Sequence, residues 1–220
     1  TEGVEKLEIM FAHTHDEDHD EHEEGEEHHD DDHEEGEEHH DDDHEEGEEG
    51  HDDHGHEEGA LDPHVWVSPT RVIIQARNIH AALVEVAPEH EETFTQNLEA
   101  FIADIEALEA EIESTLDGVT SRKFMVFHPS WGYFANDFDL EMMPIEVGGV
   151  EPSAAELAEL IEVAEHEGIQ FVFAQPEFST EDATTIAEAI GGEVILISPL
   201  VYDWLENLQM VADTFAEVLN

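Results

Sequence analysis

Apolar positions along this chain fall into three regimes. Residues 1–12 (TEGVEKLEIMFA) carry Val4, Leu7, Ile9, Met10 and Phe11, the density expected at the end of an ordered segment. Residues 13–59 carry no apolar side chain at all. From Ala60 onward, apolar residues return with regular spacing. Ser68 followed by Pro69 reads as an N-cap and first helical position, so a helix is predicted over about 69–87. Beyond Pro88, Phe94, Leu98, Phe101, Ile102, Ile105, Leu108, Ile112 and Leu116 recur at steps of three and four, the pattern of one long amphipathic helix.

Gly118 marks the end of that helix, and the period then changes to short apolar runs alternating with amphipathic helices. The runs are KFMVFH (123–128), MMPIEV (142–147), IQFVFA (169–174) and EVILIS (193–198). Helices are predicted near 130–138, 153–167, 179–190 and 203–219, with capping-box signals at Ser153/Glu156 and Ser179/Asp182. Four strand-helix units in succession define an α/β lobe with a mainly parallel sheet. The chain therefore divides into 1–12, a tract over 13–59, a turn and helix over 60–88, the long helix over 89–118, and the lobe over 119–220.

Composition sharpens this division. Of 220 residues, 39% are hydrophobic, enough for a core, while 61 acids stand against 5 bases for a net charge of −56. Such a chain is repelled by nucleic acid and by anionic membrane surfaces. Residues 13–59 hold 27 of the acids and 13 of the 18 histidines, and an 11-residue unit, HHDDDHEEGEE, is written twice over 28–49. Without apolar surface to offset chain entropy, that tract is expected to be a mobile loop or tail. The remaining residues are acidic as well, which fits a salt-adapted host, since at roughly 1 M salt charges are screened within about 3 Å. There is no cysteine, so a metal must be held by nitrogen and oxygen ligands. The start at Thr1 without an apolar leader reads as a processed leader or a start partway through a longer protein.

Ligands of parallel α/β sheets sit beyond the carboxyl ends of strands. His128 occupies that position, at the end of FMVFH and before PSWGYF, although an imidazole there can also serve only to cap the next helix. His64 lies in DPHVW, between a turn set by Asp62 and Pro63 and an anchor at Val65 and Trp66, where neutral imidazole suits zinc. His80, His90 and His166 fall on helices among acids and are expected on solvated faces. Ser130 in HPSWG resembles a nucleophile elbow, but no Gly-rich oxyanion loop accompanies it and the only later histidine, His166, is mid-helix.

Read together, the His-rich acidic tract, DPHVWVSP, FHPSWGYF, FAQPEFS and ISPLVYDWLENL resemble the metal-binding proteins of zinc and manganese ABC importers, in the zinc-specific ZnuA/TroA-like branch. The resemblance implies two α/β lobes joined by a long rigid helix, with metal in the cleft and no catalytic activity. Residues 89–118 would be that linking helix, 119–220 the C-terminal lobe and 1–12 a remnant of an N-terminal lobe that is largely absent, along with its metal histidine. His64 and His128 match two of the family's zinc ligands. Ser198-Pro199-Leu200 departs from the Asp-Pro-Leu of many relatives, leaving the fourth position to water, to a carboxylate or imidazole of the tract, or to Gln175 or Glu177. Loss of that hard carboxylate favours Zn2+ over Mn2+.

The implied role is capture of extracytoplasmic zinc and delivery to an ABC permease by a monomer, in the periplasm or at the outer face of the membrane, with or without a lipid anchor. In the tract, His28, His29, His33, His39, His40, His44, His51, His54 and His56 would collect metal by raising its local concentration. Protonation near pH 6 and below would weaken that capture. Two other readings remain: the tract is a salt-adapted linker, or the protein is a metal buffer whose many weak sites all lie in the tract.

Overall fold

The computed structural model describes residues 2–8, 61–146 and 149–220, and these belong to one unit. The tract over 13–59, with the nine histidines from His28 to His56, lies outside the described residues. Six helices and four strands follow in order: α1 (Pro69–Val86), α2 (Glu91–Leu116), β1 (Lys123–Val126), α3 (Gly132–Asp137), β2 (Glu141–Pro144), α4 (Ala154–Glu167), β3 (Phe171–Ala174), α5 (Glu181–Ala189), β4 (Glu193–Leu196) and α6 (Trp204–Val218). Short 3-10 turns at Val65–Val67 and Pro88–His90 precede α1 and α2. Among the described residues, no helix is long and apolar enough to cross a membrane.

All four strands are parallel, in the order β2-β1-β3-β4, with Lys123 beside Glu141 and Phe171 beside Glu193. Side chains alternate across β1: Phe124 and Val126 enter one core with Phe134, Ile112, Leu116 and Phe215. Met125 and Phe127 enter the other, with Leu160, Ala164, Ile186 and Ala187. The period of two along the strand thus distributes α2, α3 and α6 to one face and α4 and α5 to the other. The central strands β1 and β3 are buried on both sides, which is why they read as continuous apolar runs, while the edge strand β4 is partly exposed.

Helix α2 is divided. Ile105, Leu108, Ile112 and Leu116 are buried in the lobe, while Phe94, Leu98 and Ile102 are only half-buried and Phe101 is exposed. Its first half runs against α1, where His80 Nε2 lies 3.0 Å from Thr95 Oγ1. His80 was expected on a solvated face and is instead half-buried against this neighbour, a contact that local acidity could not reveal. His90 and His166 are exposed, as expected.

The caps follow local chemistry in most places. Ser68 Oγ accepts from Arg71 N–H ahead of Pro69, and Ser153 with Glu156 forms a reciprocal capping box at α4. At α5 the expectation fails: the N-cap is Thr180, and Ser179 only accepts from Glu181 N–H in the preceding turn. Residues 2–8 are tied to the same unit. Val4 is buried, Leu7 packs on the first core, and Glu8 forms an antiparallel bridge with Leu61.

Candidate metal centre

His64 is set by a tight turn. Asp62 is buried, and its Oδ1 accepts from the backbone N–H of His64 at 2.8 Å, the Asx arrangement that Asp-Pro sequences favour. The same oxygen lies 2.7 Å from His64 Nδ1. Behind the turn, Val67 is buried, Trp66 Nε1 donates to Pro199 O at 3.0 Å, and Trp204 Nε1 donates to Trp66 O at 2.7 Å. The two indoles lock the turn to the loop between β4 and α6.

His128 follows β1 directly, where Phe127 N–H still pairs with Phe173 O at 2.8 Å. Its Nδ1 is 3.1 and 3.2 Å from the two oxygens of Glu146, a buried residue just beyond β2. Glu146 is held there by sheet-like bonding, its N–H donating to Phe127 O at 2.9 Å. The His128 ring also lies 5.0 Å from the ring of Phe178. Beside it opens a cavity of about 400 Å³ lined by Phe127, His128, Glu146, Glu151, Phe178 and Ser179, among others.

The two imidazoles meet edge to face, with Nε2 of His64 3.4 Å from Nε2 of His128. A carboxylate only accepts, so in the neutral imidazoles it draws the proton to Nδ1 and leaves each Nε2 a lone pair. Two such lone pairs facing at that distance repel unless a proton or a metal ion lies between them. Two nitrogens each about 2.0–2.1 Å from a tetrahedral zinc are themselves about 3.3–3.4 Å apart. A carboxylate behind each imidazole is also the arrangement that fixes the ring of a zinc-binding histidine and raises its basicity.

Among the described residues, no group of three or more His, Asp or Glu converges as a metal cage. Of the candidates for the fourth position, Gln175 is buried and donates its amide to Ser130 Oγ, while Glu177 accepts from Ser198 Oγ. Ser198 Oγ also accepts from Leu200 N–H at 3.1 Å, so this serine keeps a turn-forming role. Ser130 is fully buried and accepts from the Gln175 amide, a structural pairing inside the lobe.

Sequence reasoning treated Asp62 only as a turn former and passed over Glu146. The spacing of Asp62 two residues before His64 was a usable signal. Glu146 left none, because only the pairing of β2 beside β1 carries it to His128.

A parallel α/β sheet with His128 beyond the carboxyl end of a central strand, and His64 facing it from a neighbouring turn, defines an α/β lobe with a candidate metal site. The chain belongs to the family described as zinc-uptake complex component A, periplasmic, which it matches over residues 2–219. This is a family of uptake components rather than of enzymes. The chain is 32% identical over 148 residues to a zinc-binding protein AdcA of Streptococcus pyogenes, covering 66% of this chain and 28% of that one. It is 30% identical over 145 residues to the high-affinity zinc uptake system protein ZnuA of Bacillus subtilis, covering 64% and 45%. A crystal structure of ZnuA superposes with a TM-score of 0.72 at 44% identity, covering 74% of this chain and 61% of that one. The chain thus spans less than two thirds of each of these relatives.

Proposed function

We propose that this chain captures extracytoplasmic zinc as cargo and serves an ABC permease, with His64 and His128 as two of the metal ligands. The observation that carries the reading is the 3.4 Å separation of two Nε2 atoms whose Nδ1 partners are both buried carboxylates. Borderline-soft zinc suits imidazole better than manganese does, and membership of a zinc-uptake family points the same way. The third ligand would come from a second lobe, with α2 as the link between lobes. The 13 imidazoles of residues 13–59 would collect metal and raise its concentration near His64, only three residues past Leu61.

A second reading, a metal buffer acting mainly through the tract, is favoured by one observation: the tract holds 13 of the 18 histidines. A competition titration with zinc and manganese separates the two. It compares the chain, a version without residues 13–56, and the His64→Ala/His128→Ala double variant. The proposal expects one tight zinc equivalent that survives deletion of the tract and vanishes in the double variant. If all binding leaves with the tract, the chain is a zinc collector and the cleft reading is wrong.

A further inference from the structure

The segment that carries His128 also carries the seat of His64. Tyr133, fully buried, donates its hydroxyl hydrogen to Asp62 O at 2.8 Å and accepts from Leu7 N–H at 3.1 Å. Asp62 N–H in turn donates to Leu7 O at 2.9 Å, closing a clasp beside the bridge of Glu8 with Leu61. Next to it, a Cβ added at Gly132 would stand 3.0 Å from Asp62 Oδ2, so only glycine leaves the carboxylate its full room.

The Tyr133 ring is itself pinned. The Arg71 guanidinium lies 4.6 Å from its centroid, donates to Asp137 Oδ1 at 2.7 Å and reaches Glu5 O through Nε at 3.2 Å. Burial, opposed by the bond from Leu7, pushes the Tyr133 hydroxyl above its usual range, so it remains a donor at neutral pH.

We propose that Tyr133, with Gly132 beside it, is a positioning residue for metal binding: it holds the Asp62 backbone so that the carboxylate meets His64 Nδ1 and turns Nε2 toward His128. The proposal rests on the reading of His64 and His128 as zinc ligands. Tyr133 touches neither imidazole and acts only through Asp62. Its hydroxyl also ties together residues 7 and 62, which flank the His-rich tract in the sequence.

The test titrates the full chain with Zn2+ against a chromophoric chelator, for Tyr133→Phe and Gly132→Ala, each also made on a His64→Ala background. Ring 15N spectra of the metal-free proteins report the His64 tautomer. Zinc affinity is expected to fall about fivefold in each variant, below the roughly tenfold lower end for a direct partner of a metal ligand because Tyr133 acts through Asp62. The loss should shrink to within about twofold on the His64→Ala background. The His64 ring should change from a single Nδ1–H tautomer to a mixture.

Unchanged affinity and an unchanged tautomer would overturn the inference. So would an equal loss on the His64→Ala background, the mark of general destabilisation. Should Tyr133→Phe fail to fold, Gly132→Ala, which removes no polar group, decides. If the unaltered chain binds zinc no better than the His64→Ala/His128→Ala variant, the ligand reading fails instead, and the metal-free tautomer alone decides whether Tyr133 orients His64.

Discussion

Removing the carboxylates behind the two imidazoles should weaken zinc binding unequally, and the geometry sets the order. Asp62 lies 2.7 Å from His64 Nδ1, with side chains 15% and 5% exposed for His and Asp. Glu146 shares His128 Nδ1 between oxygens at 3.1 and 3.2 Å, and the His128 side chain is 23% exposed. A hydrogen bond to a charged group contributes about 1.5–3 kcal/mol, the short and dry one toward the top of that range. At about 1.4 kcal/mol per tenfold, Asp62→Ala should cost about 30–150-fold in zinc affinity and Glu146→Ala about 10-fold. The Glu146 value sits at the lower end of the roughly 10–100-fold typical of groups that orient metal ligands, and the Asp62 range reaches just past its upper end.

Asp62 also accepts the His64 backbone N–H, so Asp62→Asn is the control that keeps the turn and removes the charge. Its expected cost, about fivefold, reflects a neutral bond of about half the strength. The assay is chelator competition at fixed pH and salt, with thermal melts of the metal-free proteins to separate unfolding from lost affinity. A larger loss for Glu146→Ala than for Asp62→Ala, or losses within twofold for both, would refute this account of the site.

Arg71→Ala should destabilise the chain by about 3 kcal/mol in denaturant unfolding, the low end for breaking a buried ion pair, because Asp137 at 6% side-chain exposure keeps only the hydroxyls of Ser68 and Thr70 as donors among the described residues. A cost under about 1 kcal/mol would show that the pair adds little. Glu109 is held above the ordinary glutamate range by burial and then by Glu113, Asp137 and Glu106. The folded state therefore binds more protons there than the unfolded state, and stability falls as pH rises from the unfolded value through the folded one. Glu109→Gln should raise the melting temperature at pH 7, with the gain fading below the ordinary glutamate range; a gain independent of pH would contradict this assignment. With a net charge of −56, melting temperature should climb as KCl is raised toward molar concentration, and a flat response would count against salt adaptation.

Much of the fold was readable from local pattern. The helix predicted over 69–87 is Pro69–Val86, and the helix begun by Ser153 carries its capping box. The four apolar runs became the four strands; β1, β2 and β4 stop short of the end of their runs, where the chain turns into loops, and β3 starts two residues late. Ser179 misled for the same local reason: Ser and Thr stand side by side, and the backbone at Thr180 takes the N-cap position. His80 misled because its neighbours along the chain are polar while its neighbour in space is Thr95.

By itself the sequence determined the order of elements, the caps at α1 and α4, the acidic field, the absence of thiolate ligands, and the placement of His64 after a turn and His128 after a strand. These depend on interactions spanning one turn or one strand, which periodicity and residue chemistry express directly. Tertiary structure alone decided that β2 lies beside β1 and brings Glu146 to His128. It also decided that Tyr133 clasps Asp62 to Leu7 and that two imidazoles 64 positions apart face each other at 3.4 Å. Such pairings are set by strand order and by the packing of helices on two faces of a sheet, and no local spacing along the chain records which distant residues that packing selects.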